Sequence, residues 1–203
     1  MSIALALSFL AACGGDAPNA ANTGPVNCHV FDELDCASFH DVEPTLEVGT
    51  GVDGAPVFEP LSADGGLPVY YGPQGGYHAW LQARMTGLCP ASVVFSRRIV
   101  DPILRFQSTR ARMAASDDGW VASSAQQTFL CPTNVAGVSL VDTTVDLEVT
   151  LREDFGTCAG QPEPRSITKH VPVRIECPAG DDRCTDDFCH GCAAPPESYD
   201  CSG

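Results

Sequence analysis

The sequence predicts an all-β protein, namely an antiparallel β-sandwich of immunoglobulin-like outline, cross-linked by disulfides and followed by a cysteine-rich C-terminal tail. Three observations predict this fold. Residues 43–177 hold about eight short runs of alternating apolar and polar residues, separated by turn signals. Few stretches show the 3.6-residue periodicity of a helix. Finally, the cysteines other than Cys13 form an even set distributed along the chain.

The alternation is clearest in two late segments. In VDLEVTLR, residues 145–152, four apolar side chains share one face and four polar ones the other, which is typical of a half-buried strand. HVPVRIEC, residues 170–177, repeats the pattern. The other predicted strands are TLEVG (45–49), PVFEPL (56–61), LPVYY (67–71), VVFSRRIVD (93–101), ILRFQSTRAR (103–112) and GWVASSAQQTFLC (119–131).

An uncharged apolar run, residues 3–12, precedes Cys13. It is too short for a membrane-spanning helix, which needs about 20 residues, and suits the apolar region of a signal peptide. Leu10-Ala11-Ala12-Cys13 resembles the lipobox of bacterial lipoproteins. The resemblance implies cleavage after Ala12, a diacylglyceryl thioether on Cys13 and acylation of the freed amine. The alternatives are an ordinary signal peptide with an incidental cysteine, or a buried N-terminal segment.

The lipobox resemblance implies a location in the bacterial cell envelope, with the membrane as a partner through acyl chains on Cys13. Gly14 follows the cysteine, where an Asp would mark retention in the inner membrane, so the outer membrane is favoured. Residues 14–27 are small, polar and rich in Gly and Pro, which predicts a flexible tether spanning roughly 20 Å. The predicted organisation is a signal peptide (1–12), a lipidated tether (13–27), a cysteine-bounded loop (28–42), the β-sandwich (43–177) and the tail (178–203).

Removing Cys13 leaves an even number of cysteines, which in an exported chain indicates a disulfide framework. The pairing is open, because spacing alone does not determine connectivity. Proximity along the chain favours Cys28–Cys36, Cys89–Cys131 and Cys158–Cys177, with the last four cysteines pairing among themselves. The predicted disulfide cysteines are Cys28, Cys36, Cys89, Cys131, Cys158, Cys177, Cys184, Cys189, Cys192 and Cys201.

The charge distribution excludes one class of partner. The formal net charge is −15, and the first basic residue is Arg84. Nucleic acid would repel so acidic a chain, so no nucleic-acid partner is predicted. Several arginines lie between Arg84 and Arg112, where they form either a basic patch for an acidic ligand or a solvent-facing set paired with the chain's own acids. The second interpretation is favoured.

YYGPQGGYHAW, residues 70–80, predicts a hairpin tip with His78 and Trp80 on one face of the outgoing strand. Gln74, Tyr77, His78 and Trp80 form a candidate small-ligand site, because aromatic rings and amides suit sugars and peptides. The alternative is a turn whose aromatic residues pack on the core. Together with FEPL (58–61) and LPV (67–69), this stretch is similar to a group of uncharacterised exported bacterial lipoproteins, which implies a β-sandwich lipoprotein and no particular activity.

The tail places Cys184, Cys189 and Cys192 beside His190, a set that could hold zinc. Disulfides compete for the same sulfurs and are favoured in an oxidising compartment, so no metal or other cofactor is predicted. Its CHGC stretch also fits a redox-active dithiol motif but lacks the βαβ context of such catalysts.

The sequence contains none of the local catalytic motifs of hydrolases, metalloproteases or nucleotide-binding enzymes, so no catalytic residues are predicted. Structural roles are favoured for His29, His40 and His170. The predicted function is that of a non-catalytic binding or structural module whose partner is an envelope protein or glycan. The alternatives are metal binding by the tail and hydrolysis of envelope polymers.

Overall fold

The computed structural model describes residues 26, 28–31, 34–51, 58–62, 65–71, 77–100, 106–111, 113–116, 118–130 and 140–179. Within these ranges two β-sheets, one of seven strands and one of five, enclose a common apolar core, so the predicted β-sandwich is confirmed. The strands are β1 (Thr45–Thr50), β2 (Glu59–Pro60), β3 (Gly66–Pro68), β4 (Tyr70–Tyr71), β5 (Tyr77–Thr86), β6 (Val93–Ile99), β7 (Phe106–Ala111), β8 (Met113–Ala115), β9 (Val121–Ser123), β10 (Gln126–Leu130), β11 (Thr144–Glu153) and β12 (Ser166–Glu176).

Strand β5 is the centre of the first sheet, which has the order β2-β1-β5-β9-β8. Strands β4 and β10 also pair with β5, at its N-terminal half. The second sheet has the order β3-β12-β11-β6-β7. Strand β3 runs parallel to β12, which departs from the predicted antiparallel arrangement. The reason is that β3 enters the second sheet from the first one, so no tight hairpin fixes its direction.

The core forms because inward-facing residues alternate along the central strands, as the sequence predicted. On β5 the inward positions begin at Tyr77 and end at Met85, and on β11 they begin at Val145 and end at Leu151. The same alternation on β6 turns Arg97 inward beside Phe95, and its side chain is only 3% exposed.

Arg97 links the two sheets through hydrogen bonds. Its Nε donates to Thr128 Oγ1 (2.6 Å) and its Nη2 to the Gln127 carbonyl (2.7 Å), both on β10, while Nη1 donates to Thr109 Oγ1 (3.0 Å). Burial lowers the pKa of Arg97 to about 10, because the charged guanidinium loses hydration. These polar partners compensate for the hydration that the guanidinium loses on burial, and they hold β10 against β6.

The predicted neighbour pairing of the disulfides is wrong. Cys28 bonds to Cys158 (Cα–Cα 5.5 Å) and Cys36 to Cys89 (Cα–Cα 5.0 Å). Cys177 is disulfide-bonded as well, and not to Cys158. Cys131 and the cysteines after residue 179 lie outside the described residues, as does Cys13.

Two short helical turns explain why Cys28 and Cys36 do not pair. Cys28 begins a 3-10 helix (Cys28–Phe31), and Cys36 begins helix α1 (Cys36–Phe39), which Asp35 caps by accepting from the Ala37 amide. Helix α1 buries Cys36 against Cys89 in a small cluster with two phenylalanines. We call residues 28–42 the cap, because both disulfides fasten this segment to one end of the sandwich.

A buried carboxylate completes the attachment of the cap. Glu153 is fully buried, and it accepts hydrogen bonds from the Cys89 amide (2.6 Å) and the Arg165 amide (2.7 Å). His40 Nε2 of the cap lies 2.9 Å from its Oε1. Arg165 also donates to the carbonyls of His40 and Val42. The carboxylate therefore holds three segments together at this end.

Candidate functional site

The candidate site lies on the hairpin that the sequence predicted. Strand β4 pairs antiparallel with the start of β5, with Tyr71 opposite Tyr77 and Tyr70 opposite His78. The loop between them, residues 72–76, lies outside the described residues, and Gln74 with it. Of the four predicted ligand residues, Tyr77, His78 and Trp80 are therefore described.

The structure divides these three residues between the two faces of β5. Tyr77 belongs to the apolar core and is 7% exposed. His78 and Trp80 share the opposite, outer face, as the alternation predicted, and their rings meet edge to face with centroids 5.4 Å apart. Tyr77 therefore has the packing role of the alternative interpretation, while His78 and Trp80 remain together.

Neighbouring strands add two residues that the sequence analysis did not identify. Tyr70 lies opposite His78, with ring centroids 6.3 Å apart, and Gln127 of β10 lies opposite Trp80. Directly opposed residues of an antiparallel pair project from the same face, so all four share one surface. We call Tyr70, His78, Trp80 and Gln127 the His78 patch. Only the strand register brings Gln127 to it, and no local sequence signal gives that register.

His78 is the most buried member of this patch, at 6% exposure. Burial lowers the pKa of His78 below its ordinary value of 6.5, because the imidazolium loses hydration there. Its buried Nδ1 has no hydrogen-bond partner. The imidazole is thus neutral at neutral pH and presents an unsatisfied polar atom under the patch.

The lowered pKa makes stability depend on pH in a defined direction. As the pH falls through 6.5, His78 takes up a proton in the unfolded chain first, so protonation favours unfolding. Between pH 7 and pH 5, His78→Gln should therefore lose less unfolding free energy than the parent protein. Urea unfolding at steps of half a pH unit measures how the free energy of unfolding depends on pH in each protein. Parallel pH profiles for the parent and His78→Gln would contradict the lowered pKa of His78.

Further along the outer face, Arg84 forms a closed cluster. Its guanidinium lies over the rings of Phe58 (4.6 Å) and Trp120 (4.7 Å). It also forms ion pairs with Glu47 (2.7 Å) and Asp118 (3.0 Å). Two carboxylates and two aromatic rings thus surround the Arg84 guanidinium, so Arg84 is not a free cation for a ligand.

A glycine makes room for the phenylalanine of this cluster. An ideal Cβ at Gly49 would lie 2.6 Å from Phe58 Cε2 and from the Glu59 carbonyl oxygen. Any side chain at position 49 would therefore displace Phe58 from Arg84. The absence of a side chain in strand β1 is what lets the aromatic ring reach the sheet.

The other described arginines of the 84–112 stretch also have partners. Arg98 pairs with Glu148 (2.8 Å) on the outer face of the second sheet, and Arg110 pairs with Asp154 (2.8 Å). Arg105 and Arg112 lie outside the described residues. The favoured interpretation, pairing with the chain's own acids, is confirmed for the described arginines other than the buried Arg97.

The remaining candidates are the other described histidines and a possible metal site. His40 contacts Glu153, and His170 Nδ1 lies 2.8 Å from Asp146 Oδ2, so both are engaged with acids of the sandwich. In the described part of the chain, no group of three or more His, Cys, Asp or Glu is placed to hold a metal ion. The zinc candidates Cys184, Cys189, His190 and Cys192 lie outside it.

Comparison with known proteins assigns no family. No protein-family model matches the chain, and no curated protein matches it significantly. The described residues contain no helix with the length and apolar character needed to cross a bilayer.

Proposed function

We propose that this protein is a lipid-anchored lipoprotein of the bacterial cell envelope whose disulfide-linked β-sandwich acts as a non-catalytic binding module. The observation that carries the proposal is the Leu10-Ala11-Ala12-Cys13 motif at the end of an uncharged apolar run. Acyl chains on Cys13 would hold the domain at the membrane, at about 0.8 kcal/mol for each buried methylene. The G-P-rich segment after Cys13 would then separate the sandwich from the lipid surface.

The disulfides support an exported location. Cys28–Cys158 and Cys36–Cys89 fasten the cap to the sandwich, and Cys177 is disulfide-bonded as well. Disulfides of this kind persist outside the reducing cytoplasm. Both resolved bridges connect segments far apart in sequence, which suits a permanent structural role.

The arrangement of the cap suggests how the domain would stand on the membrane. The tether ends at Cys28, and Cys28–Cys158 fixes that point to the loop between β11 and β12. Strand β5 ends beside the cap at Thr86 and begins at the hairpin with Tyr77. Its ten residues span about 33 Å, so the His78 patch would lie toward the end that faces away from the anchor.

The anchor is tested by replacing the modified cysteine. Cys13→Ala should move the protein from the detergent-rich phase to the aqueous phase in a detergent partition experiment, because the variant carries no acyl chains. Intact-mass measurement should show that the parent begins at Cys13 and carries lipid, and that the variant carries none.

Ser8→Ala is the matched control, since it changes the same apolar run and leaves the lipobox intact. It should remain lipidated and partition with detergent. A parent protein with an unmodified Cys13 would overturn the anchor.

A further inference from the structure

We propose that the His78 patch binds a neutral saccharide, with a pyranose ring stacked on the Trp80 indole and its hydroxyls hydrogen-bonded by Tyr70 and Gln127. This inference deepens the proposed function, since it assumes that the sandwich is a binding module. It assigns the ligand class from three features of the described residues, namely an aromatic ring that no described cation covers, the lack of a charged side chain in the patch, and an interior strand position.

The first feature is the contrast between the two tryptophans of the chain. Trp120 lies under the Arg84 guanidinium, which covers its ring. The rings of Trp80 and His78 meet edge to face, Trp80 is half-buried, and within the described residues no cation lies over it. A partly uncovered indole on the outer face of a sheet offers a flat apolar surface, which matches the apolar face of a pyranose.

The second feature is the charge of the surroundings. Tyr70 and Gln127 carry hydrogen-bonding groups and no charge, and the buried Gln82 follows Trp80 on the same face. The buried His78 is neutral, and the first ionised side chain along this face of β5, Arg84, is already paired with two acids. Among the described residues of the patch, an ionic ligand would find no counter-charge, whereas a ligand rich in hydroxyls would find donors and acceptors.

The third feature is the position of the patch in the sheet. An extended peptide binds mainly by adding a strand to a free edge. His78 and Trp80 lie on β5, which is an interior strand with β10 on one side and β4 and β1 on the other. A ligand therefore meets side chains rather than free backbone groups, which favours a ring-shaped polar molecule over a peptide.

The unsatisfied Nδ1 of His78 is an independent indication that a polar partner belongs at this site. Buried polar atoms are nearly always hydrogen-bonded, so an unpartnered one calls for an explanation. His78, which carries this atom, is 6% exposed, and its ring lies edge to face with that of Trp80, with centroids 5.4 Å apart. A ligand hydroxyl that enters beside Trp80 would supply the missing hydrogen bond.

The experiment uses the two tryptophans as separate reporters. The full-length protein in detergent is titrated with three neutral probes, cellotriose, maltotriose and N,N′,N″-triacetylchitotriose, while intrinsic fluorescence is recorded. Trp120→Phe leaves Trp80 as the sole tryptophan and keeps an aromatic ring under Arg84, whereas Trp80→Phe leaves only Trp120. We expect a saturable fluorescence change with at least one probe in Trp120→Phe and none in Trp80→Phe.

Calorimetry then measures the contribution of the ring. Trp80→Ala should weaken the affinity about tenfold or more, and Gln127→Ala severalfold, while Trp120→Phe should match the parent. The proposal is overturned if no probe gives saturable binding, or if Trp80→Phe retains both the binding and the signal. The anchor has a separate readout in detergent partition, so failure of saccharide binding leaves the lipid anchor standing, and an unlipidated protein can still bind the probes.

Discussion

Replacing Cys28 and Cys158 together by serine is expected to lower the free energy of unfolding by about 5 kcal/mol, since this bridge joins residues 130 positions apart. The stabilisation of a disulfide grows with the length of chain that it closes in the unfolded state. A bridge between Cys28 and Cys36, the pairing favoured by proximity, would contribute only about half as much. Urea unfolding of the oxidised parent and of the double variant measures the difference.

Peptide mapping of the oxidised protein distinguishes the two pairings independently of stability. The first basic residue is Arg84, so trypsin leaves Cys28 and Cys36 in one peptide. The structure predicts that this peptide is linked to both 85–97, which holds Cys89, and 153–165, which holds Cys158. If 85–97 and 153–165 were released from it without reduction, the long-range pairing would be wrong.

The dependence of the unfolding free energy on urea concentration provides a further control. Removing a cross-link lets the denatured chain expand, so the dependence of unfolding free energy on urea should become steeper in the double variant. A change in stability with an unchanged slope would point to lost packing rather than to a lost cross-link. Cys28 is exposed, so its side chain contributes little packing of its own.

Alternation along the chain was sufficient to predict the sandwich because its physical cause is local. In β11 the period of two fixes which side chains enter the core before any partner strand is known, and the structure keeps that assignment from Val145 to Leu151. The sequence predicts the segment 119–131 as one strand, but it forms two, β9 and β10. Its polar middle interrupts the strand, so the two parts pair at different positions in the sheet.

Contacts between distant segments could not be predicted in this way. Nothing in the sequence near Trp80 indicates that Gln127 lies opposite it, because register depends on the complete sheet. The predicted disulfide pairing was wrong for the same reason. Proximity in sequence does not determine the partner of a cysteine when helical turns orient Cys28 and Cys36 toward different partners. Among the described residues, Arg97 and Glu153 are charged side chains buried at positions that the alternation assigns to the core. The alternation does not indicate which groups would satisfy them.

Glu153→Ala is expected to lower the free energy of unfolding by roughly 3–5 kcal/mol, an effect close to that of the long disulfide. The carboxylate is fully buried and accepts from the amides of Cys89 and Arg165, while His40 lies within hydrogen-bond distance. Without it, the buried Cys89 amide and the partly buried Arg165 amide would lose their acceptors, and a cavity would open where the cap meets the sandwich.

Glu43→Ala is the matched control, because Glu43 is an exposed glutamate that also contacts Arg165, at 3.7 Å. Its loss should change stability by no more than about 0.5 kcal/mol, as is usual for exposed sites. Glu153→Gln should lie between the two, since the amide keeps the shape but has one acceptor oxygen where the carboxylate has two. If Glu153→Ala were no more harmful than Glu43→Ala, then the buried carboxylate would contribute nothing to the attachment of the cap.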